Sequence, residues 1–327
     1  MSGSPLWNRA VAIESAYLFP RTAEHDMRLS SFALLALAGS IGYAVARARP
    51  AAAVDEHADH ADHGAPTTPT GLAAQQAANL PASNTTAADR LAKSPRHGEW
   101  VAVKVGADSV MSWVVYPERS AKAPVVVVLH ENTGLTTWAR AVADQMAAEG
   151  FIAIAPDMLT PARKGNLTSE WARDSAGPAI RELTPEMVNA RLDAVAKYGM
   201  SLPAALPKYG IVGFCWGGAR SFLHAVHAPT LGGSVVYYGS PPTAEQMVAI
   251  KAPVLGLYGG ADARITTTVP ATDSAMRRLG KSYEHHVYDG AGHGFLRGQE
   301  QNDGANLKAT QDAWPRTVAF FKAKLGA

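Results

Sequence analysis

The only cysteine of the chain has the clearest potential for chemistry. Cys215 stands in the sequence GFCWGG, directly after an apolar run that ends at Phe214. Gly213 and Gly217 complete the G-x-nucleophile-x-G pattern, in which a tight turn between a strand and a helix exposes a reactive side chain. Such a turn strains the backbone of its central residue and needs small neighbours. A cysteine used only for packing needs no such glycines, so the pattern predicts a nucleophile.

The turn also predicts how negative charge is stabilised near the sulfur. The backbone N–H of Trp216, the next residue, is suited to face an oxyanion that forms during acyl transfer. A helix that begins after Cys215 favours negative charge at its N-terminus, which helps a thiolate to form.

Two further residues complete the set needed for nucleophilic catalysis. Asp262 follows the apolar sequence VLGLYGG, and His293 lies in the sequence GAGHGF. The order nucleophile, acid, histidine along the chain is that of α/β-hydrolases, in which the acid orients the histidine and the histidine exchanges the nucleophile's proton. Alone, Asp262 would be interpreted as a turn residue and His293 as a loop histidine. Their order after Cys215 favours a catalytic triad.

The scaffold for these residues is predicted from alternating apolar patterns. A hairpin is predicted across residues 99–117. Buried strands are predicted at APVVVVLHE and FIAIAPDML, and further strands at YGIVGF, GSVVYYG, APVLGLYGGAD and YEHHVYDG. Helices are predicted at 137–149, 185–198, 217–228, 269–280 and 311–325, whereas 161–184 is polar and irregular. Strands alternating with helices predict a mostly parallel sheet with helices on both faces, an α/β fold.

In a sheet of this type, functional residues lie beyond the carboxyl ends of the strands. Cys215, Asp262 and His293 all follow predicted strands, as does Glu131, which alone could be a helix-start acid. Arg297 comes four residues after His293. Other histidines lie inside predicted helices or strands and are interpreted as structural or surface residues: His224, His227, His285 and His286.

The N-terminal part of the chain has a different composition. From Met27 a basic residue precedes an apolar stretch and then small residues in A-x-A spacing, which predicts a secretory signal peptide within residues 1–48 and Met27 as the initiator. We therefore expect a periplasmic or secreted protein with no stable membrane insertion after signal removal. The alternative is an uncleaved N-terminal membrane anchor.

Residues 49–95 are rich in Ala, Pro, Thr, Asp and His and are predicted to be a disordered linker. Within them, His57, His60 and His63 could bind a metal weakly, but the tract is interpreted as a solvated tether, and no metal site is predicted. The folded domain is expected over residues 96–327. The net charge of +2 gives no reason to expect a nucleic-acid partner.

The motifs of this domain resemble those of the dienelactone hydrolase family of α/β-hydrolases. The resemblance rests on VVVVLHENTGL, GFIAIAPDML, GIVGFCWGG, LYGGADARI and YDGAGHGFLR, in this order, and the leader is similar to that of a secreted branch of the family. It implies an α/β-hydrolase fold and a Cys215–His293–Asp262 triad. It further implies that Glu131 pairs with Arg297 until substrate binds and then accepts the thiol proton, and that the N–H of Asn132 assists that of Trp216 in the oxyanion hole.

The resemblance implies a hydrolase of activated esters or lactones that forms a thioacyl-enzyme without a cofactor. Polar Asn132 and Thr133 follow the glutamate where dienelactone hydrolases have apolar residues, which changes the pocket wall. The substrate-binding arginine that precedes residue 185 could be Arg163, Arg173 or Arg181. Trp216 and Trp171 either line an acyl pocket or pack in the core.

Three other functions stay open from the sequence. The first is a general carboxylesterase without preference for lactones, and the second is a non-catalytic binding protein that keeps the hydrolase fold. The third is a thiol redox protein, for which the chain offers no second cysteine to resolve an oxidised Cys215. We expect a small-molecule substrate and a monomer.

Overall fold

A computed structural model describes residues 79–163 and 173–326, and the structural statements below refer to these residues. The chain divides into residues 1–64 and 65–327, and all described residues belong to the second unit. Several sequence predictions lie outside the described residues: the signal peptide that starts at Met27, the histidine tract His57, His60 and His63, Trp171, and the side chains of Arg163 and Arg173.

The described residues form one sheet of eight strands in the order β1-β2-β4-β3-β5-β6-β7-β8. β1 and β2 form the predicted hairpin, β2 pairs with β4 in antiparallel fashion, and all other pairs are parallel. The mostly parallel sheet predicted from the sequence is confirmed. The strands are β1 (Gly98–Val105), β2 (Asp108–Val115), β3 (Ala123–Leu129), β4 (Ile152–Pro156), β5 (Ala205–Phe214), β6 (Ser234–Tyr237), β7 (Val254–Gly259) and β8 (Tyr283–Tyr288).

The helices alternate with these strands as the sequence predicts. They are α1 (Ala87–Ala92), α2 (Thr137–Ala148), α3 (Arg173–Arg181), α4 (Pro185–Ser201), α5 (Trp216–His227), α6 (Ala244–Met247), α7 (Ala263–Thr266), α8 (Val269–Arg278) and α9 (Ala305–Leu325). Short 3-10 turns cover Thr160–Arg163 and Asn302–Gly304.

Two helices correct the sequence interpretation. α3 lies in the stretch 161–184, for which an irregular structure was predicted. The helix was not predicted because it contains Pro178, and proline disfavours a helix interior. α9 begins at Ala305, six residues before the predicted start. Its first turns bury the polar residues Asn306 and Thr310, so they show no apolar periodicity.

Helices cover both faces of the sheet, as predicted, and the central strand β3 explains why. Val125, Val127 and Leu129 point into the core that α4, α5 and α8 share, whereas Val126 and Val128 point into the core under α2 and α9. All seven residues of β3 are buried. Side chains that alternate between two apolar layers need the continuous run VVVVL.

The prediction of a disordered linker over residues 49–95 is wrong for residues 79–95. Residues 79–94, here called the N-terminal strap, contain α1 and bury Leu80, Ala82 and Ala87 in the same core as Trp138 of α2. The strap has few large apolar residues, so its sequence shows no periodic pattern. The folded domain therefore begins before residue 96, and the rest of the predicted linker lies outside the described residues.

Candidate active site

Cys215 lies at the turn between β5 and α5 and is the N-cap residue of that helix, with φ 55° and ψ −113°. This conformation is strained for a residue with a Cβ and costs roughly 1–3 kcal/mol. Backbone hydrogen bonds hold it: the N–H of Cys215 donates to Tyr237 (3.1 Å), and the N–H of Ala219 donates to Cys215 (3.1 Å). The nucleophile turn predicted from GFCWGG is therefore present in the backbone.

Two glycines make this turn possible. A Cβ on Gly213 would clash with the backbone of Gly217, and a Cβ on Gly217 would clash with the carbonyl groups of Leu129 and His130. Each obstacle is backbone, which cannot rotate away as a side chain can. The glycines of GFCWGG thus let the start of α5 approach the end of β3.

Asp262 and His293 form the predicted pair. The Nδ1 atom of His293 lies 2.5 Å from Oδ2 of Asp262, whose side chain is buried. The imidazole is about one third exposed and its edge packs on Tyr238, with ring centroids 5.1 Å apart. Since Nδ1 is hydrogen-bonded to the carboxylate, Nε2 is the ring nitrogen that remains available to exchange a proton.

Glu131 and Arg297 form the second predicted pair. The Nε atom of Arg297 donates to Oε2 of Glu131 at 2.7 Å, and the carboxylate is about nine-tenths buried. Burial lowers the pKa of Arg297, but the charge of Glu131 and its hydrogen bond raise it, and the net change is upward. The guanidinium of Arg297 therefore stays charged.

The thiol of Cys215 has its pKa raised to about 11. Burial is the main cause, and the negative charge of Glu131 adds to it. The N–H of Trp216 and the cations Arg264 and Arg297 act in the opposite direction. The effect of the helix N-terminus, which was expected to help a thiolate to form, is therefore smaller than the combined effect of burial and Glu131. The sulfur is protonated at neutral pH.

Cys215 opens onto a pocket of about 440 Å³. Asn132 and Trp216, the predicted oxyanion residues, both line it, and Trp216 is consequently a pocket residue and not only core packing. Of the three arginine candidates before α4, Arg181 lines the pocket. Among the described residues, the lining contains no acidic side chain and comprises Asn132, Gly177, Ile180, Arg181, Cys215, Trp216, Ala219, Tyr238, Ser240, Arg264 and Ile265.

Three residues near the site were not singled out from the sequence. Tyr238 follows β6 with φ 40°, its buried hydroxyl has no partner among the described residues, and burial raises its pKa well above the ordinary value. Arg264 reaches the pocket from α7, two residues after Asp262. Both follow strands at the carboxyl edge of the sheet, so the strand-end rule could have found them.

The third is His130, which connects three loops of the site. Its Nε2 accepts from the N–H of Met158 (3.1 Å), so its Nδ1 carries the proton and donates to the carbonyl group of Glu131 (2.5 Å). The ring stacks on Trp216 with centroids 5.6 Å apart. His130 thus fixes the backbone of the glutamate against the start of α5.

The family model of the dienelactone hydrolase family matches residues 110–325, about two thirds of the chain. The chain belongs to the dienelactone hydrolase family. This confirms the resemblance that the motifs indicated. It also makes the protein a member of a family of hydrolases that act on esters or lactones.

Relatives and solved structures agree with this family. The "Putative carboxymethylenebutenolidase" of Methylorubrum extorquens is 30% identical over 219 residues, which cover 63% of this chain and 74% of the relative. An Escherichia coli protein of the same name is 31% identical over 227 residues, which cover 66% and 83%. The crystal structure of a "Putative Dienelactone Hydrolase" from Klebsiella pneumoniae is 27% identical, with a TM-score of 0.61, and covers 69% of this chain and 98% of that one.

Neither a metal cluster nor a membrane-spanning helix is present among the described residues. They contain no group of three or more His, Cys, Asp or Glu side chains that could hold a metal ion. None of the helices in this part of the chain is long and apolar enough to cross a membrane.

Proposed function

We propose that the protein hydrolyses an activated ester or lactone through a Cys215–His293–Asp262 triad and a thioacyl-enzyme. The observation that carries the proposal is the strained turn at Cys215, which opens onto a pocket that Tyr238 also lines. Tyr238 contacts the imidazole of His293, which a buried carboxylate holds. A strained turn is retained where the exposed side chain is needed. Family membership supports the reaction class.

In the proposed resting state the sulfur is a protected thiol. Its raised pKa keeps it protonated, and Arg297 holds the Glu131 carboxylate at 2.7 Å. A substrate carboxylate that binds Arg297 would compete for that guanidinium and leave Glu131 as a stronger base beside the thiol. Proton transfer from sulfur to Glu131 then produces the thiolate only when substrate is present, which limits its oxidation.

The proposed reaction has two steps. The thiolate attacks the ester carbonyl carbon, and the resulting oxyanion accepts hydrogen bonds from the N–H groups of Trp216 and Asn132. The C–O bond then breaks: an ester releases its alcohol, whereas a lactone opens and keeps its leaving oxygen, as an enolate, on the acyl-enzyme. In both cases the leaving group takes up the proton that Glu131 had accepted. Water, deprotonated by His293 with Asp262 behind it, then attacks the thioester, and the carboxylic acid product leaves with the thiol restored.

The charge of the pocket favours an anionic substrate. Arg181 and Arg264 line it together with Cys215, and none of the lining residues that the structure describes is acidic. This is a specific reason to prefer a substrate with a carboxylate over the simple neutral esters of a general carboxylesterase.

The decisive experiment compares hydrolysis of an aryl acetate by the wild-type protein and by the Cys215→Ala and Cys215→Ser variants. Loss of activity in Cys215→Ala, with a thioacyl adduct seen by intact-mass spectrometry of the quenched wild-type protein, would support the triad. Unchanged hydrolysis in Cys215→Ala would reject Cys215 as the nucleophile, whereas no hydrolysis by the wild-type protein would leave the alternative of a binding protein. Equal kcat/KM for a dienelactone and for simple esters would reject the lactone preference and favour a general carboxylesterase.

We further propose a periplasmic or secreted location and a monomer. The predicted signal sequence from Met27 supports the location, and an uncleaved membrane anchor is the alternative. N-terminal sequencing of the protein from a fractionated bacterial host tests the location, and a chain that begins before residue 48 in the membrane fraction would favour the anchor.

A further inference from the structure

The N-terminal strap, residues 79–94, lies before the residues that the family model matches, yet it contacts the loop that carries the catalytic histidine and Arg297. Its own position is well fixed. Leu80 and Ala82 are buried, and the indole N–H of Trp138 donates to the carbonyl group of Ala82 at 2.9 Å. Arg90 of the strap bonds Gln145 of α2 at 2.8 Å.

The strap forms hydrogen bonds with three of the four consecutive residues 297–300. The N–H of Asn84 donates to the carbonyl group of Arg297 at 2.8 Å. The amide of Gln299 donates to the carbonyl group of Pro81 at 2.9 Å. Glu300 accepts from the hydroxyl groups of Thr85 (2.6 Å) and Ser83.

Backbone hydrogen bonds from Arg297 and Gly298 to the carbonyl group of Gly294 shape this loop, and contacts from other segments add to its position. Between His293 and Glu300 it forms no helix or strand, and Gly294 has φ +77°. Asn306 of α9 holds it from one side through the carbonyl group of Gly298 (2.7 Å). The strap holds it from the other side, at the residue whose side chain pairs with Glu131.

We propose that the N-terminal strap positions Arg297 against Glu131 and thereby sets how firmly the carboxylate is kept from the Cys215 thiol before substrate binds. The inference rests on the proposed function, because it gives Glu131 the role of thiol base. Arg297 touches the carboxylate directly and offsets its charge, and it is also one of the cations that lower the pKa of the thiol. A looser strap weakens both effects, so the thiol pKa rises further and the thiolate population at pH 7 falls.

The test uses the full chain and the fact that Cys215 is its only cysteine, so that iodoacetamide modifies one site. Glu300→Ala removes the acceptor of two strap hydroxyl groups, whereas Glu300→Gln keeps an oxygen for them. Asp89→Ala is the matched control, because Asp89 lies in the strap but its side chain pairs with exposed Lys93 and not with any described residue of the loop. Alkylation rates from pH 6 to 11 and kinetics on a carboxylate-bearing and a neutral aryl ester are measured for all variants.

We expect Glu300→Ala to be alkylated about fivefold more slowly at pH 7 and to show about a fivefold higher KM for the carboxylate ester, with little change for the neutral ester. Glu300→Gln and Asp89→Ala should behave as the wild type. The double variant Thr85→Val, Glu300→Ala should have the same alkylation rate and KM as Glu300→Ala, because both changes remove the same hydrogen bond.

An unchanged alkylation profile and KM in Glu300→Ala would overturn the role of the strap, even if Cys215→Ala abolishes hydrolysis and the proposed function stands. Equal effects of Asp89→Ala and Glu300→Ala would also overturn it, because general loosening of the strap would then explain both. Hydrolysis that persists in Cys215→Ala would instead refute the proposed function, independently of the alkylation data.

Discussion

Replacing Glu131 by Gln tests the central electrostatic argument, because it should change two rates in opposite directions. Glu131 is the second cause, after burial, of the thiol pKa of about 11. At pH 7 a thiol with that pKa is ionised to about one part in 10⁴. Glutamine keeps the shape and an oxygen for Arg297 but removes the charge. We expect the thiol pKa to fall by about one unit and alkylation at pH 7 to rise about tenfold.

Acylation should respond in the opposite way. If Glu131 takes the thiol proton when substrate binds, its loss removes a general base, and acylation by an aryl ester should slow by about 10²-fold or more. Iodoacetamide alkylation followed by intact mass gives the first rate, and the stopped-flow burst of the aryl alcohol gives the second. Glu118→Gln, the same change at an exposed acid, is the control.

Two outcomes would refute this reasoning. If alkylation and acylation both stay at the wild-type rate, Glu131 neither raises the thiol pKa nor accepts its proton. If both fall together, the carboxylate supports the thiolate in the resting state instead of opposing it. In the wild-type protein, alkylation should rise about tenfold per pH unit and level off only near pH 11.

Three further predictions follow from the structure. Arg264→Gln should raise KM for a carboxylate ester about tenfold and leave a neutral ester unchanged, since the arginine lines the pocket with Cys215; equal effects on both esters would contradict a charge role. Gly217→Ala should lower stability by about 1–3 kcal/mol in urea unfolding and reduce activity, because its Cβ meets backbone carbonyl groups; wild-type values for both would contradict this steric reading of the turn. Burial is the main cause that lowers the pKa of His224 to about 4. As the pH falls below 6.5, the imidazole is therefore protonated in the unfolded chain before it is protonated in the folded one. The free energy of unfolding should fall by between about 2 and 3 kcal/mol by pH 4.5. In urea unfolding over the same pH range, the free energy of unfolding of His224→Gln should fall by about 2 to 3 kcal/mol less than that of the wild type. An equal fall in both proteins would assign the acid sensitivity to other groups.

Much of the fold could be predicted because burial leaves a simple trace in the sequence. The VVVVL run of β3 and the hairpin before it predicted their strands, and the glycines around Cys215 predicted the turn. α3 and the start of α9 were missed because a proline and buried polar residues interrupt the apolar period. The strap was missed because it buries small residues that resemble linker composition.

The sequence by itself determined the architecture and the order of nucleophile, acid and histidine, since both depend on local patterns and on which strand each residue follows. Only the tertiary structure decided that Arg181 and Arg264 line the pocket, that Glu131 lies close enough to raise the thiol pKa, and that the strap holds the loop of Arg297. These features depend on distances between segments far apart in the chain and on how much water each group loses. Local sequence patterns do not encode either quantity, because both are summed over every element that packs around the site.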